Sequence, residues 1–311
     1  MILTTLRSLS NNLKKLYFII ESNKLLILSS RDMKTVELAS TGEQIPVIGQ
    51  GLWGVSRLKG IYAGKSYFTG IKAALKKGIE IGLTHLDTAE IYGNGKAEEV
   101  LSDVIKDFPR DDLFITTKLF PFHLRRKSMK NAMKKSLRRL GLDYVDLYLI
   151  HWPSKIISIE KEMSILEDLV KEGKTRYIGV SNFSVKQFKT AQEALKKEEL
   201  VNNQLHINIT NQKYIHDSLP YYQENNITVT AYSPLAHKGF TELSGDIKNE
   251  LDRLSKKYGA TIQQIAIAWL INHKNIITIP KAFNIDHIID NVKATKINLS
   301  LEDLESLYKF K

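Results

Sequence analysis

The chain has no cysteine. Disulfides, thiol nucleophiles and thiolate metal centres are thereby excluded. A cysteine-free composition fits a reducing cytoplasm, and it equally fits a heat-adapted protein. Long apolar runs are also missing. Leu16–Ile20 and Leu25–Leu28 are split by Glu21, Asn23 and Lys24, far short of the roughly 20 apolar residues that a membrane span needs. A secretory signal would need one continuous apolar region and a small-residue cleavage site. Neither stands in residues 1–32, so no membrane partner is expected. No polar stretch is long enough to divide the remainder.

What is present is an ordinary globular composition over 311 residues, 43% apolar and 25% charged, sufficient for a large core. The net charge is +11. Such a balance can signal nucleic acid. Here the lysine pairs 76–77, 134–135, 196–197 and 256–257 fall on separate segments and form no stripe. A solvated surface accounts for them, and no nucleic-acid partner is expected.

From Met33 onward the chain reads as alternating elements. Residues 35–38 and 44–45 around the turn 40–43 read as a hairpin. Eight short apolar strands follow: 48–52, 84–87, 113–118, 145–151, 177–181, 203–207, 228–232 and 276–279. Amphipathic stretches separate them: 67–77, 96–106, 126–140, 159–172, 185–196, 214–225, 250–257 with 262–272, and 286–294, with a last helix at 301–310. Ser184 with Gln187 and Thr261 with Gln264 have capping-box spacing. Gly78, Gly141 and Gly173 fall where helices are expected to stop. Eight strand–helix units predict an α/β fold, a (β/α)8 TIM barrel with the hairpin closing its bottom. Residues 33–311 are expected to form one domain and a monomer. Residues 1–32 are expected to be an extension, through a misassigned start codon ahead of Met33 or as an appended arm.

Barrels of this kind react at the C-terminal ends of their strands. Asp87 ends the second strand, Lys118 the third and His151 the fourth, while Tyr92 follows Asp87 in its loop. Singly, each has an ordinary explanation as a cap, a solvated cation, a satisfied core imidazole or a packing ring. Together, at three neighbouring strand ends, they suit proton transfer to a carbonyl oxygen. A phenol is a weak acid near neutral pH. An ammonium stabilises its phenolate, and a carboxylate makes the buried ammonium tolerable. The expected chain is Asp87 to Lys118 to Tyr92, with Lys118 drawing the phenol downward. His151 would bond the same oxygen. None of the four can supply a hydride, so a cofactor is implied.

The stretch 86–93, Leu-Asp-Thr-Ala-Glu-Ile-Tyr-Gly, resembles the signature of the aldo-keto reductase family. So do 115–118, 146–153, 173–183 and 231–235, in family order, and the resemblance spans about 35–311. It implies an NADP(H)-dependent reductase of aldehydes and ketones, with Asp87, Tyr92, Lys118 and His151 as catalytic group and Tyr92 as general acid. It implies that Ser181, Asn182 and Gln204 hold the nicotinamide carboxamide and that Tyr232 stacks on its ring. Ser233 and Leu235 match positions along the pyrophosphate. Lys281, Asp290 and Asn291 match the adenosine end, Asp290 in place of the usual Glu. The family's long C-terminal loop looks nearly absent, and the loops after Lys118 and after the seventh strand look short. Trp53, Trp152, Phe120 and Phe122 are then the expected pocket walls, and broad acceptance of small aldehydes is expected.

Two positions depart from the family pattern. Ala282 stands where a serine is frequent, and His287 where an arginine commonly holds the 2′-phosphate. A histidine is only partly charged near neutral pH. NADPH is therefore expected, with NADH possible. Gly49-Gln-Gly51 lacks the third glycine of a dinucleotide fingerprint, and the resemblance implies a cofactor that lies extended across the barrel top. Two other readings stay open. One is a metal-dependent barrel hydrolase using His85, Asp87 and His151, which leaves Tyr92 and Lys118 without roles. The other is an NADP(H)-binding regulatory subunit with little turnover.

Overall fold

The computed structural model describes residues 33–309 apart from 122, 124, 237–239, 241 and 242. The expectations for residues 1–32 and for Phe122 as a pocket wall lie outside the described residues. An antiparallel hairpin, β1 (Thr35–Glu37) and β2 (Gln44–Pro46), comes first. Eight parallel strands follow in one sheet: β3 (Gln50–Gly51), β4 (His85–Asp87), β5 (Phe114–Leu119), β6 (Val145–Ile150), β7 (Thr175–Ser181), β8 (Leu200–His206), β9 (Thr228–Tyr232) and β10 (Ile276–Thr278). Each pairs with its sequence neighbour. The ends meet through a parallel bridge between Ile48 and Thr278, so the sheet closes into a (β/α)8 barrel.

The closing seam explains two glycines. Gly49 N–H donates to Thr278 O, Thr278 N–H to Val47 O and Gly51 N–H to Pro280 O. A Cβ on Gly51 would stand 2.6 Å from the Ile279 carbonyl oxygen, and one on Gly49 would stand 2.8 Å from the backbone oxygen of His85. Close backbone approach at the seam, and not a phosphate loop, requires these residues.

The helices are α1 (Arg57–Ala63), α2 (Lys65–Glu80), α3 (Lys96–Ile105), α4 (Arg126–Leu140), α5 (Ile159–Lys171), α6 (Val185–Ala194), α7 (Lys213–Asp217), α8 (Leu219–Glu224), α9 (Gly245–Tyr258), α10 (Ile262–Ile271), α11 (Ile285–Lys293) and α12 (Leu301–Ser306). Both capping boxes form, Ser184 with Gln187 on α6 and Thr261 with Gln264 on α10. Gly141 ends α4 at φ 69°, and Gly173 at φ 64° follows α5. Gly78 is a correction: it lies inside α2, and Gly82 at φ 99° stands beyond the helix end. A Cβ on Gly78 would meet the Gln50 amide at 2.3 Å. That amide is buried over the helix and donates to the carbonyls of Leu75 and Leu83. The single helix expected at 214–225 is two, divided at Ser218, with Pro220 in the first turn of α8. α1 has no counterpart in the periodic pattern. None of the helices among the described residues is long and apolar enough to cross a membrane.

The hairpin plugs the barrel bottom. Leu38 and Ile45 are buried with Phe114, Leu147, Leu149, Val201 and Ile277. Ala39 N–H donates to Thr228 Oγ1, and Glu43 in the hairpin turn pairs with Arg176. Arg176 reaches on to the buried Asp146, which also binds Arg110 at 2.7 Å and accepts from the Ile115 N–H. The bottom is thus fastened by buried contacts and the opposite end is left for chemistry. Gly51→Ala should cost about 1–3 kcal/mol, the scale of overpacking. Gly70→Ala, in open space within α2, should instead stabilise by roughly 0.5–1 kcal/mol. Urea unfolding of the two variants compares them directly; equal stabilities would contradict the seam constraint.

Candidate active site

The three strand ends converge as their register requires. Asp87 pairs across β4–β5 with Thr116, and Lys118 pairs across β5–β6 with Leu149, one residue short of the strand end that carries His151. Lys118 is fully buried. Its ammonium donates to Asp87 Oδ1 at 2.5 Å and to the Thr88 carbonyl at 2.8 Å, and it stands 3.5 Å from the Tyr92 hydroxyl. Asp87 Oδ2 accepts from Gln204 Nε2 at 2.8 Å. All three ammonium protons and both carboxylate oxygens therefore have partners, which is what a buried pair needs. The Tyr92 and His151 rings meet edge to face at 5.7 Å.

The electrostatics follow from burial. The His151 imidazole is pushed down to about 2, first by burial and then by the Lys118 ammonium. It is neutral at any ordinary pH. Its Nδ1 is buried without a hydrogen-bond partner. The Tyr92 phenol is held well above its usual value by burial, then by Asp87 and Tyr232. This corrects the expected direction. Asp87 and Lys118 largely neutralise one another, so the loss of solvent around a phenolate outweighs the ammonium. Burial likewise holds Lys118 below the ordinary lysine value, with Asp87 opposing.

A cavity of about 560 Å³ opens over this group, with Trp53, Ile91, Tyr92, His151 and Trp152 in its wall. Trp152 lies flat on His151, centroids 3.9 Å apart. Phe120 is not among the residues of that wall; its ring packs edge-on against Trp152 at 5.8 Å. Ser181, Gln204, Tyr232 and Ser233 line the same cavity. Asn182, at φ 63°, stands beside them, donating to His151 O and accepting from the Tyr232 hydroxyl at 2.9 Å. Tyr232 stacks on His206, and burial pushes its phenol up to about 12.

A second cavity of about 490 Å³ adjoins the first, and Trp53, Ser233 and Lys281 line both. Leu235, Ala282, His287, Asp290 and Asn291 lie in its wall. Lys281 Nζ stands 5.7 Å from the Trp53 ring centre and 5.7 Å from that of Phe283. Together the cavities form one cleft that runs from the reacting group to the end that carries Lys281, His287 and Asp290. An elongated, phosphate-bearing dinucleotide fits that cleft. A metal does not fit the donor set: both Asp87 oxygens are taken, and His85 bonds Thr116 Oγ1 instead. Among the described residues no three metal-ligating side chains gather.

A family model described as Aldo/keto reductase family matches residues 47–311. The chain belongs to that family. It is a nicotinamide-dependent carbonyl oxidoreductase. Among its relatives, methylglyoxal reductase YeaE of Escherichia coli is 34% identical over 85% of this chain and 90% of its own. The thermostable aldo-keto reductase Tm1743, solved with the inhibitor epalrestat, is 41% identical, with a TM-score of 0.84 over 90% of this chain and all of that one. An aldo-keto reductase from Klebsiella pneumoniae, solved with NADP and acetate, is 34% identical, with a TM-score of 0.79 over 88% and 94% of the two chains.

Within this aldo-keto reductase some supporting residues carry no sequence signal. Glu98 on α3, fully buried, accepts from Thr117 Oγ1 at 2.7 Å and from Arg139 Nε at 2.5 Å, bracing the strand beside Lys118. The Thr88 carbonyl is a second such partner. Lys118→Met should cost about 3–5 kcal/mol, because it strands the Asp87 charge. The double variant Asp87→Asn with Lys118→Met should regain most of that loss but no activity. Denaturant titration tests this; a double variant no more stable than the single one would show that the pair is not coupled.

Proposed function

We propose that this reductase acts on small aldehydes, ketones and α-dicarbonyl compounds of the methylglyoxal class, with NADPH as reductant and Tyr92 as proton donor. One observation carries the reading: a fully buried Lys118–Asp87 pair reaches the Tyr92 hydroxyl beside a neutral His151 under a single cavity. When bound, the nicotinamide supplies the hydride. The chain's residues do the rest. His151, being neutral, can donate a hydrogen bond to the carbonyl oxygen and orient it. Tyr92 keeps its proton until negative charge develops on that oxygen. An alkoxide is more basic than even this phenolate, so the transfer runs downhill. The Lys118 ammonium then faces the phenolate. Asp87 holds Lys118 in place without entering the reaction.

Ser181, Asn182 and Gln204 are assigned to the carboxamide, and Tyr232 to the nicotinamide face. Ser233 and Leu235 are assigned to the pyrophosphate. Lys281, His287, Asp290 and Asn291 are assigned to the adenosine end. Trp53 and Trp152 flank the carbonyl compound. We further read the enzyme as a cytoplasmic monomer that engages neither nucleic acid nor membrane; its cysteine-free composition and scattered lysines support this. The regulatory-subunit reading leaves the satisfied ion pair under Tyr92 without a purpose.

Tyr92→Phe should lower kcat by at least about 10²-fold while NADPH still binds. In the wild type, kcat for reduction should be flat from about pH 5 to 9. His151 takes up a proton only near 2, and Tyr92 keeps its own above 10. A kcat that falls tenfold per unit below pH 6.5 would mean that His151 titrates normally. At the other end of the cleft, His287→Arg should tighten NADPH about tenfold relative to NADH, by adding a charge-assisted fork to the phosphate. The ratio of the two Kd values, from tryptophan quenching at low and high salt, reads this; an unchanged ratio would place the phosphate elsewhere.

A further inference from the structure

The loop after β4 holds a carboxylate that the proton-transfer group leaves unused. Glu90 lies two residues before Tyr92, and its side chain is only 13% exposed. It crosses to the loop after β5. Glu90 Oε1 accepts from the Phe120 backbone N–H at 2.6 Å, and His123 Nε2 lies 3.0 and 3.2 Å from the two carboxylate oxygens. Phe120 is the first residue beyond β5, and the last ladder bond there runs from His151 N–H to Leu119 O. Its N–H has left the sheet, and the carboxylate takes it. A short bond between an amide and an ionised acceptor is among the stronger neutral-to-charged contacts.

That bond helps anchor the backbone that carries the Phe120 ring. The ring meets Trp152 edge-on, centroids 5.8 Å apart at 88°, and His151 at 6.4 Å and 80°. Trp152 lies parallel to His151, at 11°. The indole is therefore held from two sides, by the imidazole beneath and the phenyl edge beside it. Trp152 and Ile91, the residue after Glu90, both line the substrate cavity. One carboxylate thus connects the loop that carries Tyr92 to the aromatic wall that a substrate meets.

We infer that Glu90 is a positioning residue that sets the tilt of Trp152 and, through it, the acceptance of aromatic carbonyl compounds. The inference rests on the carbonyl-reductase reading above. A small α-dicarbonyl is held at its oxygen by Tyr92 and His151 and hardly touches the wall. An aryl substituent must lie against Trp152 and gains only if that face is fixed. Without the Glu90 acceptor the Phe120 backbone loses its short bond to that loop, the phenyl edge shifts and the indole loses part of one of its two supports.

Methylglyoxal and phenylglyoxal present the same reacting aldehyde and differ in a methyl against a phenyl group. With the full chain and NADPH, Glu90→Ala should raise KM for phenylglyoxal at least about fivefold, the scale of one aromatic pair. kcat for both substrates and KM for methylglyoxal should stay within about twofold. Glu90→Gln keeps an oxygen that accepts from the Phe120 N–H and should restore phenylglyoxal KM. His123→Ala leaves the acceptor intact and should behave like Glu90→Gln. An unchanged phenylglyoxal KM in Glu90→Ala overturns the inference. So does an equal fall of kcat on both substrates, which would assign Glu90 to the support of Tyr92. Binding of phenylacetate, followed by tryptophan fluorescence, reads the wall without turnover and should weaken by a similar factor in Glu90→Ala. Failure of the wild type to reduce either dicarbonyl would strike the functional reading, while this binding result would still decide the role of Glu90.

Discussion

The ion pair of Asp87 and Lys118 is the constraint around which the barrel top is arranged. Two opposite charges with almost no solvent are tolerable only when every donor and acceptor is matched. Here the Thr88 carbonyl, the Tyr92 hydroxyl and the Gln204 amide complete the set. Thr88 and Tyr92 come from the loop after β4, Lys118 from β5 and Gln204 from β8, so these three strands must arrive in register before the charges can be buried. The same dry environment keeps His151 neutral and Tyr92 protonated. Structure and reactivity share one cause.

The two ends of the barrel divide the labour. At the bottom the hairpin is packed over Phe114, Leu147 and Ile277 and tied down by Glu43, Arg176 and Asp146. At the top the loops are shaped by polar contacts and left-handed residues, among them Asn182 and Ser233 at φ 63° and 52°. A closed, fastened base lets the open end hold strained turns and a wide cleft. Trp53 and Trp152 are exposed there, at 51% and 39%, as aromatic surfaces along the cleft.

Much of this was legible in the sequence, for definite reasons. Short β-branched runs alternating with amphipathic helices leave few topologies, and Asp87, Lys118 and His151 stand out because they end such runs. Gly141 was readable because a helix stop needs φ above zero. Gly78 was not: its reason is the Gln50 amide, a contact between positions 28 apart in the chain. α1 was hidden because it is only seven residues long and carries Gly60 at its centre. The direction of the Tyr92 shift turned on how dry the phenol is, which depends on the whole cleft. Glu90 stands inside the 86–93 stretch but nothing there shows its role, since its partners, the Phe120 amide and His123, lie on another loop about 30 residues further along the chain.

The seam between Val47–Gly51 and Thr278–Pro280 carries a further consequence. It closes the sheet with the sparse bonds from Gly49, Gly51 and Thr278, and Pro280 has no N–H to add. Local opening should therefore begin along this line, where a sheet with two free edges replaces a closed one. The residues just past the seam, Trp53 on one side and Lys281 and Ala282 on the other, also line the cleft. A ligand lying in that cleft would span both lips and act as a rivet, stabilising the closed form by mass action. Resistance to proteolysis should then rise when a ligand fills the cleft.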